Sequence, residues 1–218
     1  MSDMADPPAS SSSGIPIPLS KRALDILLAG AGLVVSSPVW LLVAAAIKLE
    51  DRGPIFYRQE RVGQGGRLFD ALKFRSMVTN AESGLAVQAV ANDPRVTRMG
   101  RLMRATALDE LPQLWNIFVG DMSFVGPRAL RPQEVESNGS GELLTIDQIP
   151  GGRERNQVRP GLTGIAQIFA PRDITRRNKF RYDRLYIRKQ GFWFDVRLIV
   201  LSFWITARGK WEHSGSKF

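Results

Sequence analysis

The sequence predicts a mixed α/β fold, mostly helical, with a membrane-embedded helix-break-helix ahead of a small globular domain. Three observations predict it. Residues 23–47 are almost continuously apolar, long enough to cross a bilayer core, and Ser36-Ser37-Pro38 interrupts them at the midpoint. Two strand-like runs, residues 55–57 and 68–74, flank the turn signal Gly63-Gln64-Gly65-Gly66. Segments beginning near Pro94 and Leu108 repeat apolar side chains at helical spacing, and residues 192–205 form a second apolar stretch.

A chain of 218 residues is long enough for one domain with an appended anchor. Its formal charge of +9 implies an anionic partner: nucleic acid, an acidic membrane surface or a phosphorylated substrate. The absence of cysteine excludes disulfides, thiolate metal sites and cysteine nucleophiles. The sole histidine, His213, lies in the polar C-terminal tail, so acid–base chemistry must rest on carboxylates, lysine or tyrosine. The glycines at 63–66 are not followed by the Lys-Ser/Thr of a nucleotide phosphate loop.

Residues 1–20, rich in serine and proline, are expected to form a disordered tail. Residues 21–50 are the expected re-entrant membrane helix. Proline removes one helical hydrogen bond at Pro38, and a serine hydroxyl can donate to the carbonyl left over. Basic residues flank both ends, Lys21-Arg22 and Lys48 with Arg52, so charge favours neither orientation of a span. A segment that enters, turns at Ser37-Pro38 and returns to the same face satisfies both observations; a kinked single span is the alternative. The run is too long for a secretory signal.

Residues 53–77 read as a cationic hairpin carrying Arg58, Arg61, Arg67, Lys73 and Arg75. Such a cluster is commonly solvated, and beside a membrane segment it also suits lipid headgroups or a phosphorylated substrate. Asp93-Pro94 is expected to open a helix to Arg104, with Val96, Met99, Leu102 and Met103 opposite Arg95, Arg98, Arg101 and Arg104. That helix suits a membrane surface or a core.

Residues 106–128, TALDELPQLWNIFVGDMSFVGPR, are the stretch around which the rest is arranged. A helix starting near Leu108 or Asp109 would bury Leu108, Leu111, Trp115 and Phe118 on one face. Asp109 and Glu110 then sit in or just before its first turn, where free backbone N–H groups favour anions. Two adjacent carboxylates repel unless they share a cation, either a divalent metal or an arginine such as Arg104 or Arg128. Helix capping is the plainer role for either acid. Residues 132–158 read as a polar surface excursion, and Arg159-Pro160-Gly161-Leu162-Thr163-Gly164 as a tight turn. Residues 192–205, with Trp193 and Trp204, suit a helix lying against the membrane or the core.

The ordered motifs KRALDI, Ser-Pro within the apolar run, KFRSM, LDELPQLWN, GDMSFVGPR and RPGLTGIAQ resemble the bacterial sugar transferases known as monotopic phosphoglycosyl transferases, or polyprenyl-phosphate hexose-phosphate transferases. The resemblance covers residues 20–207. It implies transfer of a sugar phosphate from a UDP-sugar to polyprenyl (undecaprenyl) phosphate, with UMP released, as the first membrane step of surface glycan assembly. It also implies a bacterial inner membrane, a cytosolic and interfacial transferase domain over residues 51–208, a tail at 209–218, and a helix break at Ser37 and Pro38. By the same carry-over Asp109 is the nucleophile that forms an aspartyl phosphosugar, Glu110 is the assisting acid, and Mg²⁺ is held by Asp109. Arg104 and Arg128 bind phosphate, with Lys73, Arg75 and Arg159 as further candidates. The partners implied are the UDP-sugar, the polyprenyl phosphate and the phospholipid membrane; nucleic acid is not among them, and oligomeric state is left open.

Three departures accompany the resemblance. Ala129 stands where many members have proline, the segment between GPR and RPGLTG is longer than in compact members, and Phe169-Ala170-Pro171-Arg172-Asp173 replaces an Asn-Gly-Arg-Asn type of sequence. Competing readings are a membrane-attached glycosyltransferase that releases UDP, for which no Asp-x-Asp motif is present, and a non-catalytic lipid-binding adaptor.

Overall fold

The computed structural model describes residues 14–79, 81, 93–137, 141–171 and 174–208. About half of these are helical, and three two-stranded sheets complete a mixed α/β architecture. Residues 14–20, within the tail expected to be disordered, are described and tied down: Ile15 donates its N–H to Gln157 O at 2.7 Å, and Gln64 Nε2 donates to Ile15 O at 2.7 Å. Residues 1–13 and the tail at 209–218 lie outside the described residues.

Helix α1 (Leu19–Asp51) is 33 residues long and apolar enough to cross a membrane. It runs through Pro38 without the expected break, because Ser37 Oγ donates at 2.8 Å to Val34 O, the carbonyl that the proline leaves without an N–H. Leu27, Val34, Val35, Leu41 and Leu42 stay exposed along its outer side. Its inner side joins two cores. Ala29 packs with Leu114, Ile117, Val125, Tyr186 and Leu198, while Val43 and Ile47 pack with Phe74 and Met103.

Strands β1 (Phe56–Val62) and β2 (Leu68–Phe74) form the expected hairpin, antiparallel with Arg61 opposite Phe69 and Tyr57 opposite Lys73. Helix α2 (Arg98–Thr106) begins later than Asp93-Pro94 suggested. Thr97 caps it, its side chain accepting from Gly100 N–H, whereas Asp93 is taken up by Arg95. Helix α3 (Gln113–Val119) likewise begins at Gln113 rather than Leu108. Its buried side chains are Gln113, Leu114, Asn116 and Ile117; Trp115 is 47% and Phe118 38% exposed. The expected face is thus split: Leu108 and Leu111 pack against the cores while Trp115 and Phe118 turn outward, since the helix also carries Leu114 and Ile117 and the core takes those.

Strand β3 (Ser123–Val125) pairs in parallel with β6 (Gly161–Thr163), which brings GDMSFVGPR against RPGLTG. The approach leaves no room for side chains: a Cβ on Gly126 would lie 2.3 Å from Arg159 O, and one on Gly164 2.3 Å from Gly126 O. The 132–158 segment is not merely a surface excursion, because it forms β4 (Val135–Ser137) and β5 (Leu143–Thr145) and buries Ile149 and Arg155. Helix α4 (Ile165–Phe169) and helix α5 (Arg176–Lys189) follow, then α6 (Phe192–Ala207). Helix α6 buries Leu198, Ile199 and Ile205 while Trp193, Val200 and Phe203 remain exposed.

Candidate active site

Asp109 and Glu110 occupy a single 3-10 turn, Leu108–Glu110, between α2 and α3. Ala107 enters that turn in left-handed backbone, φ 57° and ψ 17°, a region that costs a residue with a Cβ about 1 kcal/mol. On the far side Leu111 packs against both principal cores. The two carboxylates therefore project from a turn held at each end.

Their environments differ. Glu110 Oε1 accepts from Lys73 Nζ of β2 at 3.1 Å and from Arg128 Nη2, in the loop after β3, at 3.3 Å. Burial pushes the Glu110 carboxyl up, but Lys73 and Arg128 outweigh it and hold the group at about 2. Asp109 makes no ion pair among the described residues. Burial and the neighbouring Glu110 charge push its carboxyl up to about 6, against the pull of Lys73 and Arg104. One carboxylate is a fixed anion and the other titrates near neutrality, which is how two adjacent acids come to hold different tasks.

The loop bearing Arg128 is held from behind. Arg155, buried and paired with Asp183 Oδ2 at 2.9 Å, also donates to Arg128 O. Arg61 Nη1 donates to Ala129 O at 2.9 Å. Burial and the Arg128 charge push the Arg61 guanidinium down to about 10. Arg61, Lys73, Glu110, Gln113 and Arg128 enclose a cavity of about 20 Å³, room for one water-sized particle.

Of the residues expected from sequence, Asp109, Glu110, Lys73 and Arg128 converge. Arg104 stands close enough to act on the Asp109 carboxyl, its Nε donating to Ser76 Oγ at 3.0 Å. Arg75 does not join them: the chain has left β2 by this position, and its guanidinium donates to Asp51 Oδ2 at 2.6 Å and to Pro54 O at 2.6 Å. Arg159 lines a different cleft, and Ser37 and Pro38 sit mid-way along α1. Sequence reasoning did not assign Arg61 and Gln113 to the site. The hairpin register carries the signal for Arg61, because Tyr57, Gln59, Arg61, Phe69, Ala71 and Lys73 share one face. Nothing local marks Arg155 and Asp183, which are 28 residues apart. Of the departing stretch at 169–173, Arg172 and Asp173 fall outside the described residues.

Among the described residues no group of three acids or histidines could hold a metal ion by itself. An adjacent carboxylate pair still fits Mg²⁺, which takes one or two carboxylates and completes its shell with water and substrate phosphate. Of the two, Asp109 is the carboxylate not already bonded to cations and so the one that would hold the ion.

This arrangement of motifs matches a family model described as bacterial sugar transferase over residues 17–209. The chain belongs to the bacterial sugar transferase family. The UDP-glucose:undecaprenyl-phosphate glucose-1-phosphate transferase of Klebsiella pneumoniae is 40% identical to this family member over 187 residues, 84% of this chain and 39% of that protein. The UDP-N-acetylgalactosamine-undecaprenyl-phosphate N-acetylgalactosaminephosphotransferase of Aeromonas hydrophila is 40% identical over 183 residues, 82% of this chain and 41% of that one. Exopolysaccharide production protein ExoY of Rhizobium meliloti is 34% identical over 196 residues, covering 83% of this chain and 82% of ExoY. The chain thus spans about two fifths of the first two and most of the third. Relatives named for two different sugars are equally similar to this chain, so overall identity does not select a sugar.

Proposed function

We propose that the chain transfers a sugar phosphate from a UDP-sugar to polyprenyl phosphate and releases UMP. The observation that carries the reading is the division between Asp109 and Glu110, one carboxyl without an ion pair and pushed toward neutrality, the other held ionised by Lys73 and Arg128. Asp109 attacks the β-phosphorus of the UDP-sugar; the bond from that phosphorus to the bridging oxygen breaks and its electron pair leaves on UMP. An oxygen of polyprenyl phosphate then attacks the same phosphorus of the aspartyl phosphosugar, which frees the carboxylate and gives polyprenyl-diphosphate-sugar. Splitting the transfer spares the site from holding two anionic substrates together. Glu110 aligns Lys73 and Arg128 toward the diphosphate, with Arg104 and Arg61 adding positive charge. Mg²⁺ held by Asp109 would neutralise charge on the diphosphate oxygens. The cavity of about 20 Å³ is too small for a nucleotide sugar, so the substrate would lie over its open mouth with the diphosphate toward Lys73 and Arg128.

Purified protein with undecaprenyl phosphate, Mg²⁺ and a panel of UDP-sugars that includes UDP-glucose and UDP-N-acetylgalactosamine is expected to release UMP only when the lipid is present. Release of UDP would replace this reading with simple glycosyl transfer. No release by folded protein across the panel would favour the adaptor.

We further propose that α1 meets the membrane from one side only, on the cytoplasmic face of a bacterial inner membrane, with residues 51–208 at that face. A helix of 33 residues is about 50 Å long, more than a bilayer core requires. Yet its two ends are fastened to one body: Lys21 to Asp195 at 2.7 Å, Asp51 to Arg75, and Glu50 to the Arg98 N–H at 2.7 Å. A span with ends on opposite sides would pull these polar contacts into lipid. Cysteines introduced singly at Leu19 and Arg52, in a chain with none of its own, are both expected to react with an impermeant thiol reagent from the cytoplasmic side. Labelling from opposite sides would remove the proposal.

A further inference from the structure

A second cleft, of about 690 Å³, opens between the N-terminal segment, the β1–β2 turn and the end of α3. Its volume is that of a small-molecule site, and it shares no lining residue with the cavity at Glu110. Arg22, Arg67 and Arg159 line it against one acid, Asp121. That carboxylate already accepts from Asn116 Nδ2 at 3.1 Å. Arg22 is committed to the C-terminus of α3, donating to Ile117 O at 2.8 Å and Phe118 O at 2.7 Å.

Arg159 is different. Its Nη1 is buried with no hydrogen-bond partner among the described residues. It also stands beside a like charge: a Cβ on Gly120 would lie 3.1 Å from Arg159 Nη1 and 3.3 Å from Arg22 Nη2. Gly120 adopts φ +104°, so the floor between the two guanidiniums stays bare by backbone requirement. Burial and Arg22 together push the Arg159 guanidinium down from its ordinary range, against the weaker pull of Asp25 and Asp121. A buried N–H donor facing a cationic neighbour is costly unless an anion completes the pair. The rim is firmly built, since Gln64 Nε2 donates to both Ile15 O at 2.7 Å and Gln157 O at 3.0 Å.

We propose that this cleft is an anion site that takes a phosphate ester group, with Arg159 as its central donor and Arg67 at its rim. Planar guanidinium donors match phosphate oxygens in pairs. The group has two sources, the headgroup of an acidic phospholipid or a soluble phosphate compound. Exposed Leu19 and Leu68 at the cleft, next to the start of α1, would accommodate the acyl-bearing end of the first. The inference is independent of the reaction assigned to Asp109.

The test is binding rather than turnover. Full-length protein in neutral detergent is titrated with dioctanoyl phosphatidylglycerol, dioctanoyl phosphatidylcholine and inorganic phosphate, and the shift in unfolding temperature gives each affinity. Wild type is expected to bind the phosphatidylglycerol probe, with a loss of about tenfold or more in Arg159→Gln. Arg67→Gln, at an exposed position, is expected to weaken it about threefold and supplies a second reading if Arg159→Gln does not fold. Inorganic phosphate bound with the same dependence on Arg159 would identify the soluble source. Probes that fail to bind wild type, or that bind both variants as tightly as wild type, would overturn the proposal.

Discussion

Asp109→Asn is expected to lower lipid-dependent nucleotide release by at least about a thousandfold and, at the same time, to raise the unfolding temperature. The first effect follows because an amide has no anionic oxygen to attack phosphorus. The second follows from linkage. The Asp109 carboxyl lies at about 6 in the folded protein against an ordinary value of 3.8, so the unfolded chain gives up this proton more readily than the folded one. The penalty on the folded state is absent below pH 4 or so, grows between about 4 and 6, and is complete above. Two pKa units correspond to about 3 kcal/mol, and partial exposure reduces that to about 1–2 kcal/mol. Melts without added divalent cation should show the variant about 3–6 °C more stable near neutral pH and indistinguishable from wild type near pH 4. Release close to the wild-type rate would end the nucleophile assignment. A gain of equal size at both pH values would end the account of the carboxyl's environment.

What the sequence disclosed follows the distances over which contacts act. The Asp109-Glu110 pair was legible because its repulsion is local, and the hairpin because its strands are joined by only five residues. Buried faces were less legible. Helix α3 carries apolar residues on two sides, so periodicity could not choose between Trp115 with Phe118 and Leu114 with Ile117, and the choice was made by contacts with α1 and β3. Lys73 and Arg75 read alike in KFRSM, but only one lies within β2; the other lies beyond its end, where Asp51 captures it. Ser37-Pro38 was legible as chemistry, since the hydroxyl does meet the freed carbonyl, although the helix then continues instead of breaking. Asp25 is the lone charge in the apolar run. In the fold its Oδ1 accepts from Ser123 Oγ and Phe124 N–H, each at 3.0 Å, fixing α1 to β3.

Lys21→Met is expected to destabilise the folded protein by about 3–5 kcal/mol, a large share of the roughly 5–15 kcal/mol that holds a domain together. Lys21 Nζ donates to Asp195 Oδ2 at 2.7 Å, Tyr186 OH at 3.0 Å and Val125 O at 3.1 Å, all buried and up to 174 residues away. Burial already pushes the Asp195 carboxyl up against the pull of Lys21, and removing the ammonium leaves that carboxylate enclosed with the Tyr186 hydroxyl and, nearby, Asp25. Adding Asp195→Leu to Lys21→Met removes both charges, so the double variant should recover most of the loss. Denaturant unfolding of the single and double variants separates this from mere packing: a double variant no more stable than the single one would show that the charge left behind is not the cause. Function depends on the same contact. Val125 O, held by Lys21 and lying 2.9 Å from the Tyr186 hydroxyl, immediately precedes the Gly126-Pro127 turn that presents Arg128 to Glu110. The double variant is therefore expected to fold and yet release nucleotide more slowly than wild type, because the start of α1 is one of the supports of the loop that carries Arg128.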